Sequence, residues 1–159
     1  MTESAAAALP LGEDVAFVTG ASRGIGSAIA AELARAGALV VGTATTEAGA
    51  ERITEQLAAA RRPGRGIVLD VADAAAVETA LADVTSGEGQ VTILVNNAGI
   101  TRDNLLLRMK PEEWSEVIDT NLTAIYRLSR AVLRGVMKAR RGRIINVGSV
   151  VGSLGNPGQ

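Results

Sequence analysis

The amino-acid sequence predicts an α/β chain folded as a doubly wound parallel sheet, and three observations carry the prediction. Five short apolar runs alternate strictly with four longer segments of helical character, the pattern of β-α-β units joined by right-handed crossovers. A glycine-rich turn stands where the first run meets the first helical segment. Hydrophobic residues make up 47% of the chain and aromatic ones only 2%, so the core must come from Val, Ile, Leu and Ala. That supply suits buried parallel strands beneath alanine-rich helices.

In chain order, the run Val15–Thr19 is followed by the helical segment Ile25–Ala36, and Leu39–Thr43 by Ala48–Ala60. Ile67–Val71 then precedes Ala74–Val84, Val91–Asn96 precedes Pro111–Ala139, and Arg143–Val147 is the fifth strand. Gly37, Pro63-Gly64 with Gly66, Gly87 with Gly89, and Gly142 fall between these segments, where turn residues belong. The 159 residues fit one domain, long enough to bury roughly 70% of its unfolded surface. The expected organisation is a flexible tail over residues 1–11 and a nucleotide-binding domain over 12–159. The domain is expected to be truncated after its fifth strand, because the pattern halts there and leaves that strand an open apolar edge.

Composition narrows the chemistry. A net charge of −1 supplies no long-range field for nucleic acid or an anionic membrane. Arg61-Arg62 and Arg140-Arg141 read as solvated helix ends. With no Cys and no His, disulfides, thiolate or imidazole metal sites and a Ser-His-Asp hydrolase are excluded, so proton transfer must use Tyr, Lys or carboxylates. No metal site is expected. Met1 to Leu11 has no Lys or Arg and too short an apolar run for a signal peptide, and no later stretch reaches the ~18 apolar residues of a membrane span. A cytoplasmic protein with no membrane partner is the expectation.

The turn reads Thr19-Gly20-Ala21-Ser22-Arg23-Gly24-Ile25-Gly26. Glycines at 20, 24 and 26 remove the Cβ atoms that would block close backbone approach, so N–H groups and the positive end of the helix can face a pyrophosphate. Plain turn chemistry is the alternative. About 20 residues after such a loop, an Asp or Glu usually reads the adenosine ribose and repels a 2′-phosphate. Here Gly42-Thr43-Ala44-Thr45-Thr46 holds no acid, and Glu47 already belongs to the next helix. NADPH is therefore expected over NADH.

This loop resembles that of the short-chain dehydrogenase/reductase family, a Rossmann-like fold. Three further segments match in order and spacing: Asn96-Asn97-Ala98-Gly99 after strand four, Asn121 in the long helix, and Ser149 after strand five. The resemblance implies that Thr19, Gly20, Ser22, Arg23, Gly24, Ile25 and Gly26 hold the NADP diphosphate, with Arg23 and Thr45 meeting the 2′-phosphate. It also implies that Asp70 and Val71 line the adenine pocket, and that Asn97, Ala98 and Gly99 line the ribose while Asn96 braces the sheet. Taken singly, Arg23 could be a solvated loop charge, Thr45 a strand-end hydroxyl and Asp70 a helix cap, with Asp73 the stronger cap candidate. Asn96-Asn97 could cap a turn.

Trp114, Ile118, Ile125, Leu128 and Val132 form a helical stripe that means core, and Asn121 falls in it. A buried amide there is costly unless it organises polar partners; by resemblance it supports a catalytic water relay, and otherwise it is a satisfied core residue. By resemblance Ser149 orients the substrate carbonyl, whereas alone it is a turn serine. The family's general acid is the Tyr of a Y-x-x-x-K pair about a dozen residues beyond the serine. These 159 residues hold no such pair: Tyr126, the one tyrosine, precedes Ser149, is followed four positions later by Arg130, and reads as packing. The loop wording is most similar to members that reduce 3-oxoacyl groups on acyl carrier protein in fatty acid synthesis, which implies an acyl-carrier-protein-linked substrate. It also implies a homo-oligomer, a tetramer, with the Pro111–Ala139 helix packing on its mate. The 159 residues by themselves are expected to be inactive. Reduction of another ketone, or a non-catalytic nucleotide-binding fragment, are the alternatives.

Overall fold

The computed structural model describes residues 9–60 and 62–159. Its elements are β1 (Val15–Val18), α1 (Gly24–Arg35), β2 (Leu39–Ala44), α2 (Glu47–Leu57), β3 (Arg65–Val68), α3 (Ala74–Gly87) and β4 (Ile93–Asn96). They are followed by α4 (Pro111–Ile118), a π-helical turn (Asp119–Thr123), α5 (Ala124–Ala139), β5 (Arg143–Asn146) and α6 (Val151–Leu154). The strands lie in the order β3-β2-β1-β4-β5 and every neighbouring pair is parallel. The chain order reverses direction between β1 and β4, and a crevice opens outside the carboxyl ends of the strands at such a point.

Period-two alternation along the strands feeds two cores. Phe17, Val41 and Leu94 point to one face and pack under Val77 and Val84 of α3 and Leu128 and Val132 of α5. Val18, Val40 and Val95 point to the other, under Ala30 and Ala34 of α1 and Ile53 and Leu57 of α2. Because both faces are covered, β1 is apolar from end to end and β4 is apolar up to its last residue, Asn96, as central parallel strands are. Small residues set the spacing of one layer: a Cβ at Gly66 would collide with the Ala50 backbone, so α2 can lie directly on β3.

The segment expected as one helix, Pro111–Ala139, is two helices joined by the π-helical turn, where Ala124 N bonds to Asp119 O. The extra residue advances the helical phase by about 100°. The expected stripe therefore breaks: Leu128 and Val132 are buried with Ala124, but Trp114 is 57% exposed on α4. Tyr126, expected to pack, is likewise exposed. β3 begins two residues earlier than expected and ends at Val68, so Asp70 and Val71 lie beyond it; Leu69 N still bonds to Ala44 O at 2.8 Å before the chain turns. Asp73 is the α3 cap, accepting from Ala76 N at 3.0 Å.

Of the four arginines read as solvated, Arg140 is exposed as expected, but Arg62 and Arg141 are tied down instead. Arg62 Nη1 donates to Gly12 O at 2.7 Å and Asp14 O at 3.1 Å. Arg141 donates to Glu13 Oε2 at 2.9 Å and Glu13 O at 2.8 Å. In the chain entering β1, Asp14 O already accepts from Leu39 N, and the two guanidiniums supply donors to it and to the carbonyls of Gly12 and Glu13. Arg61 and the tail as far as Ala8 lie outside the described residues; from Leu9 the chain turns, and Leu11 N bonds to Ala36 O at 3.1 Å. β5 is an edge strand with Ile145 partly exposed. No described helix is long and apolar enough to cross a membrane.

Candidate functional site

A cleft of about 1030 Å³ opens at the carboxyl ends of the strands. One wall is the β1–α1 loop, whose path only glycine allows. Gly20 and Gly24 have φ of 64° and 57°, in the left-handed region, and a Cβ at Gly26 would overlap Gly20 O and Asn97 Nδ2. At Gly24 a Cβ would meet nothing within 4 Å, so the backbone there faces the open cleft. α1 then starts at Gly24 behind Arg23, whose side chain does not cap it. The first-turn N–H groups have no intrahelical acceptor, an arrangement with which an anion can bond.

The loop is held from below by hydroxyl and amide groups. Thr19 Oγ1 donates to Val95 O at 3.2 Å and accepts from Asn97 N and Ala98 N, both at 2.9 Å. Asn97 Nδ2 returns bonds to Thr19 O at 2.9 Å and Gly20 O at 3.1 Å, and Gly20 N donates to Thr43 Oγ1 at 3.2 Å. Thr19 is buried and does not line the cleft; its hydroxyl is consumed in splicing β1 to β4. Thr43 is a support that sequence reading missed, since its only signal is a hydroxyl two positions before Thr45.

Gly20, Ser22, Arg23, Gly24, Ile25 and Gly26 line this cleft together with Thr45, Asp70, Val71, Asn97, Ala98 and Gly99. Thr45 is exposed at the end of β2, and Arg23 has no hydrogen-bond or ion-pair partner among the described residues. Asp70 Oδ1 accepts from Ala72 N at 2.9 Å, closing a local turn. The opposite wall was not foreseen: Ile100, Arg102, Glu112, Ser115, Glu116, Asp119 and Thr120 face the same space. Arg102 is paired there with Glu116 at 2.6 Å. Beside this wall the Lys110 N–H, and then the Asn104 amide, hold the Glu113 carboxyl below its usual range.

Asn121 is half-buried in the π-helical turn and does not line the cleft. Its Oδ1 accepts from Ile100 N and its Nδ2 donates to Ile100 O, each at 2.8 Å, so the amide pairs with one peptide of the cleft loop as a strand would. Asn96 is buried and bonds through Nδ2 to Asn146 Oδ1 at 2.8 Å, joining the ends of β4 and β5, while its own Oδ1 has no partner among the described residues. Ser149 is exposed and outside the cleft lining; its Oγ accepts from Val151 N at 3.2 Å at the start of α6. Tyr126 has no place at the cleft, and its hydroxyl bonds to Arg130 at 3.2 Å.

A family profile described as short chain dehydrogenase matches residues 14–159. The chain is 61% identical over 145 residues to the 3-oxoacyl-[acyl-carrier-protein] reductase FabG of Pseudomonas aeruginosa, covering 91% of this chain and 59% of that protein. It is 58% identical over 145 residues to the protein of the same name from Escherichia coli K12, covering 91% and 58%. The chain thus spans about 59% of the length of the curated relatives it matches.

Proposed function

The chain belongs to the short-chain dehydrogenase family, and from that membership we propose that it carries the cofactor-binding part of an NADPH-dependent 3-oxoacyl-[acyl-carrier-protein] reductase. The observation that carries the reading is the cleft itself: an open helix end beside Gly24, with Arg23 and Thr45 next to it and no acid on β2. NADP fits these residues. The α1 N–H groups and Ser22 take the diphosphate, Arg23 and Thr45 the 2′-phosphate, Asp70 and Val71 the adenine, and Asn97 to Gly99 the ribose. A bound nicotinamide supplies the hydride. Ser149 orients the 3-oxo carbonyl by hydrogen bonding. Asn121 keeps Gly99-Ile100 at the cleft by pairing with the Ile100 peptide, and in this reading it is the groundwork of the water relay.

The substrate is the acyl-carrier-protein thioester that the relatives' names describe. Leu122, Tyr126, Leu133 and Met137 are exposed large apolar residues of the π-helical turn and α5. At spacings of four and seven they form a stripe, and a stripe of this kind supports burial against a second copy. The assembled form is a homo-oligomer, a tetramer, in the cytoplasm.

The reading is tested by equilibrium titration of the wild type and Arg23→Ala with NADPH and NADH, a measurement that needs no turnover. The wild type should prefer NADPH, and the substitution should reduce that preference about tenfold to a hundredfold, the worth of one charged hydrogen bond. Equal affinities for the two cofactors in the wild type would remove the cofactor assignment.

A further inference from the structure

The segment that carries Asp70, Val71 and Ala72 leaves β3 at Val68 and enters α3 at Ala74. Its own hydrogen bonds are local: Asp70 Oδ1 takes Ala72 N at 2.9 Å, Asp73 N donates to Asp70 O at 3.1 Å, and Asp73 Oδ1 takes Ala76 N at 3.0 Å. Below it, Leu69 N bonds to Ala44 O at 2.8 Å and the Val71 side chain packs in the core. The carbonyls at the top of the turn are held from α5. Arg127 Nη1 donates to Val71 O and to Ala72 O, both at 3.0 Å, from 56 and 55 residues further along the chain.

Arg127 is half-buried, and no carboxylate pairs with it among the described residues. Its charge is directed at two carbonyls of one turn. A guanidinium is suited to this, since its donors are held in a plane and are less strongly hydrated than an ammonium. Removing it would leave both carbonyls to find water, and the turn would move toward solvent to reach it. Val71 is 4% exposed yet lines the cleft beside Asp70 and Ala72, so a small shift of this turn changes the wall directly.

We propose that Arg127 is a positioning residue for the adenine end of the cleft, fixing Asp70 to Ala72 against the glycine loop from helix α5. The proposal rests on the reading that the cleft holds NADPH. Arg127 touches neither the 2′-phosphate group of residues nor Ser149, so its influence should fall on adenine affinity alone.

The experiment is calorimetric titration of the wild type, Arg127→Met and Arg127→Lys with NADPH, NADH and adenosine 2′,5′-bisphosphate, alongside thermal melting and amide hydrogen exchange. Arg127→Met should weaken all three ligands about tenfold, the loss of a pair of charge-assisted bonds, and leave the NADPH-to-NADH ratio unchanged. Arg127→Lys should recover part of the affinity. Exchange should quicken at Leu69 to Asp73 and stay constant at Gly20 to Gly26. Unchanged affinity in Arg127→Met overturns the proposal. So does a loss accompanied by faster exchange throughout the sheet, because that marks a general structural defect. A wild type that binds none of the ligands overturns the cofactor reading beneath it, an outcome read before any variant is made.

Discussion

The two ends of the β1 strand solve opposite problems. At its amino end every group is paid off within the protein: Thr92 Oγ1 donates to Asp14 Oδ1 at 2.7 Å and accepts from Val15 N at 3.3 Å. Leu39 N donates to Asp14 O at 3.0 Å, and Arg62 and Arg141 donate to the carbonyls of Gly12, Asp14 and Glu13. At its carboxyl end the supporting groups are just as fully engaged, through Thr19, Asn97 and Thr43, but they stop one layer below the surface. Above them the α1 N–H groups and Arg23 are left facing the cleft. The cleft is thus a hydrogen-bonded underlayer beneath a top whose donors are left open, and the opposite end lacks that open top.

This contrast is sharpened by substitutions at each end. Gly26→Ala has the largest expected effect, because its Cβ would overlap Gly20 O and Asn97 Nδ2, which are fixed. It should cost about 3 kcal/mol in urea unfolding and abolish NADPH binding. Thr92→Val, at the amino end, removes a buried hydroxyl bonded to Asp14 and Val15. A loss of about 2 kcal/mol is expected, with NADPH affinity unchanged in a fluorescence titration. If that variant bound NADPH as weakly as a loop variant does, the division between the two ends would collapse.

Gly24→Ala inverts the pattern. The site is open but φ is 57°, so it should cost about 1 kcal/mol while placing a methyl where a phosphate would sit, and affinity should fall more than stability. Arg62→Ala should cost about 0.5 kcal/mol, its carbonyl partners being near enough to solvent to hydrate. The smallest effect concerns acid. Glu113 has a folded pKa below its usual value because it accepts from Lys110 N and Asn104. Its contribution is present above the unfolded pKa and is lost as pH falls through the folded one, so α4 should fray before β1 or β4. Amide exchange followed across the acidic range would show this, and Glu113→Gln should remove the pH dependence at α4.

Much of the site was legible before the fold was known, and for one reason. Gly20, Gly24 and Gly26 are needed by the local path of the chain, and a local requirement leaves a local mark. The absent acid on β2 is equally local. Asn121 was legible as a polar residue in an apolar stripe, but its partner was not: Ile100 lies 21 residues away, and the π-helical turn that aims the amide has no signature in the residues themselves. The same turn undid the stripe, leaving Trp114 exposed. Thr19 was grouped with the cofactor residues by the resemblance of the whole loop; in three dimensions its hydroxyl bonds to Val95 O and Asn97 N.

By itself, then, the sequence determined the alternation of strands and helices, the turn glycines, the Asp73 cap and the chemical character of the loop. These depend on backbone dihedrals, side-chain periodicity and hydrogen bonds spanning a few residues. Only the tertiary structure decided which groups support the cleft and which remain to face it. Asn97 and Ala98 reach Thr19 across 78 and 79 residues, Arg127 reaches Val71 across 56, and Arg141 reaches Glu13 across 128. Which donor meets which acceptor over such separations is set by strand order and helix packing, because a hydrogen bond requires about 3 Å between its heavy atoms and only the folded sheet brings those groups so close.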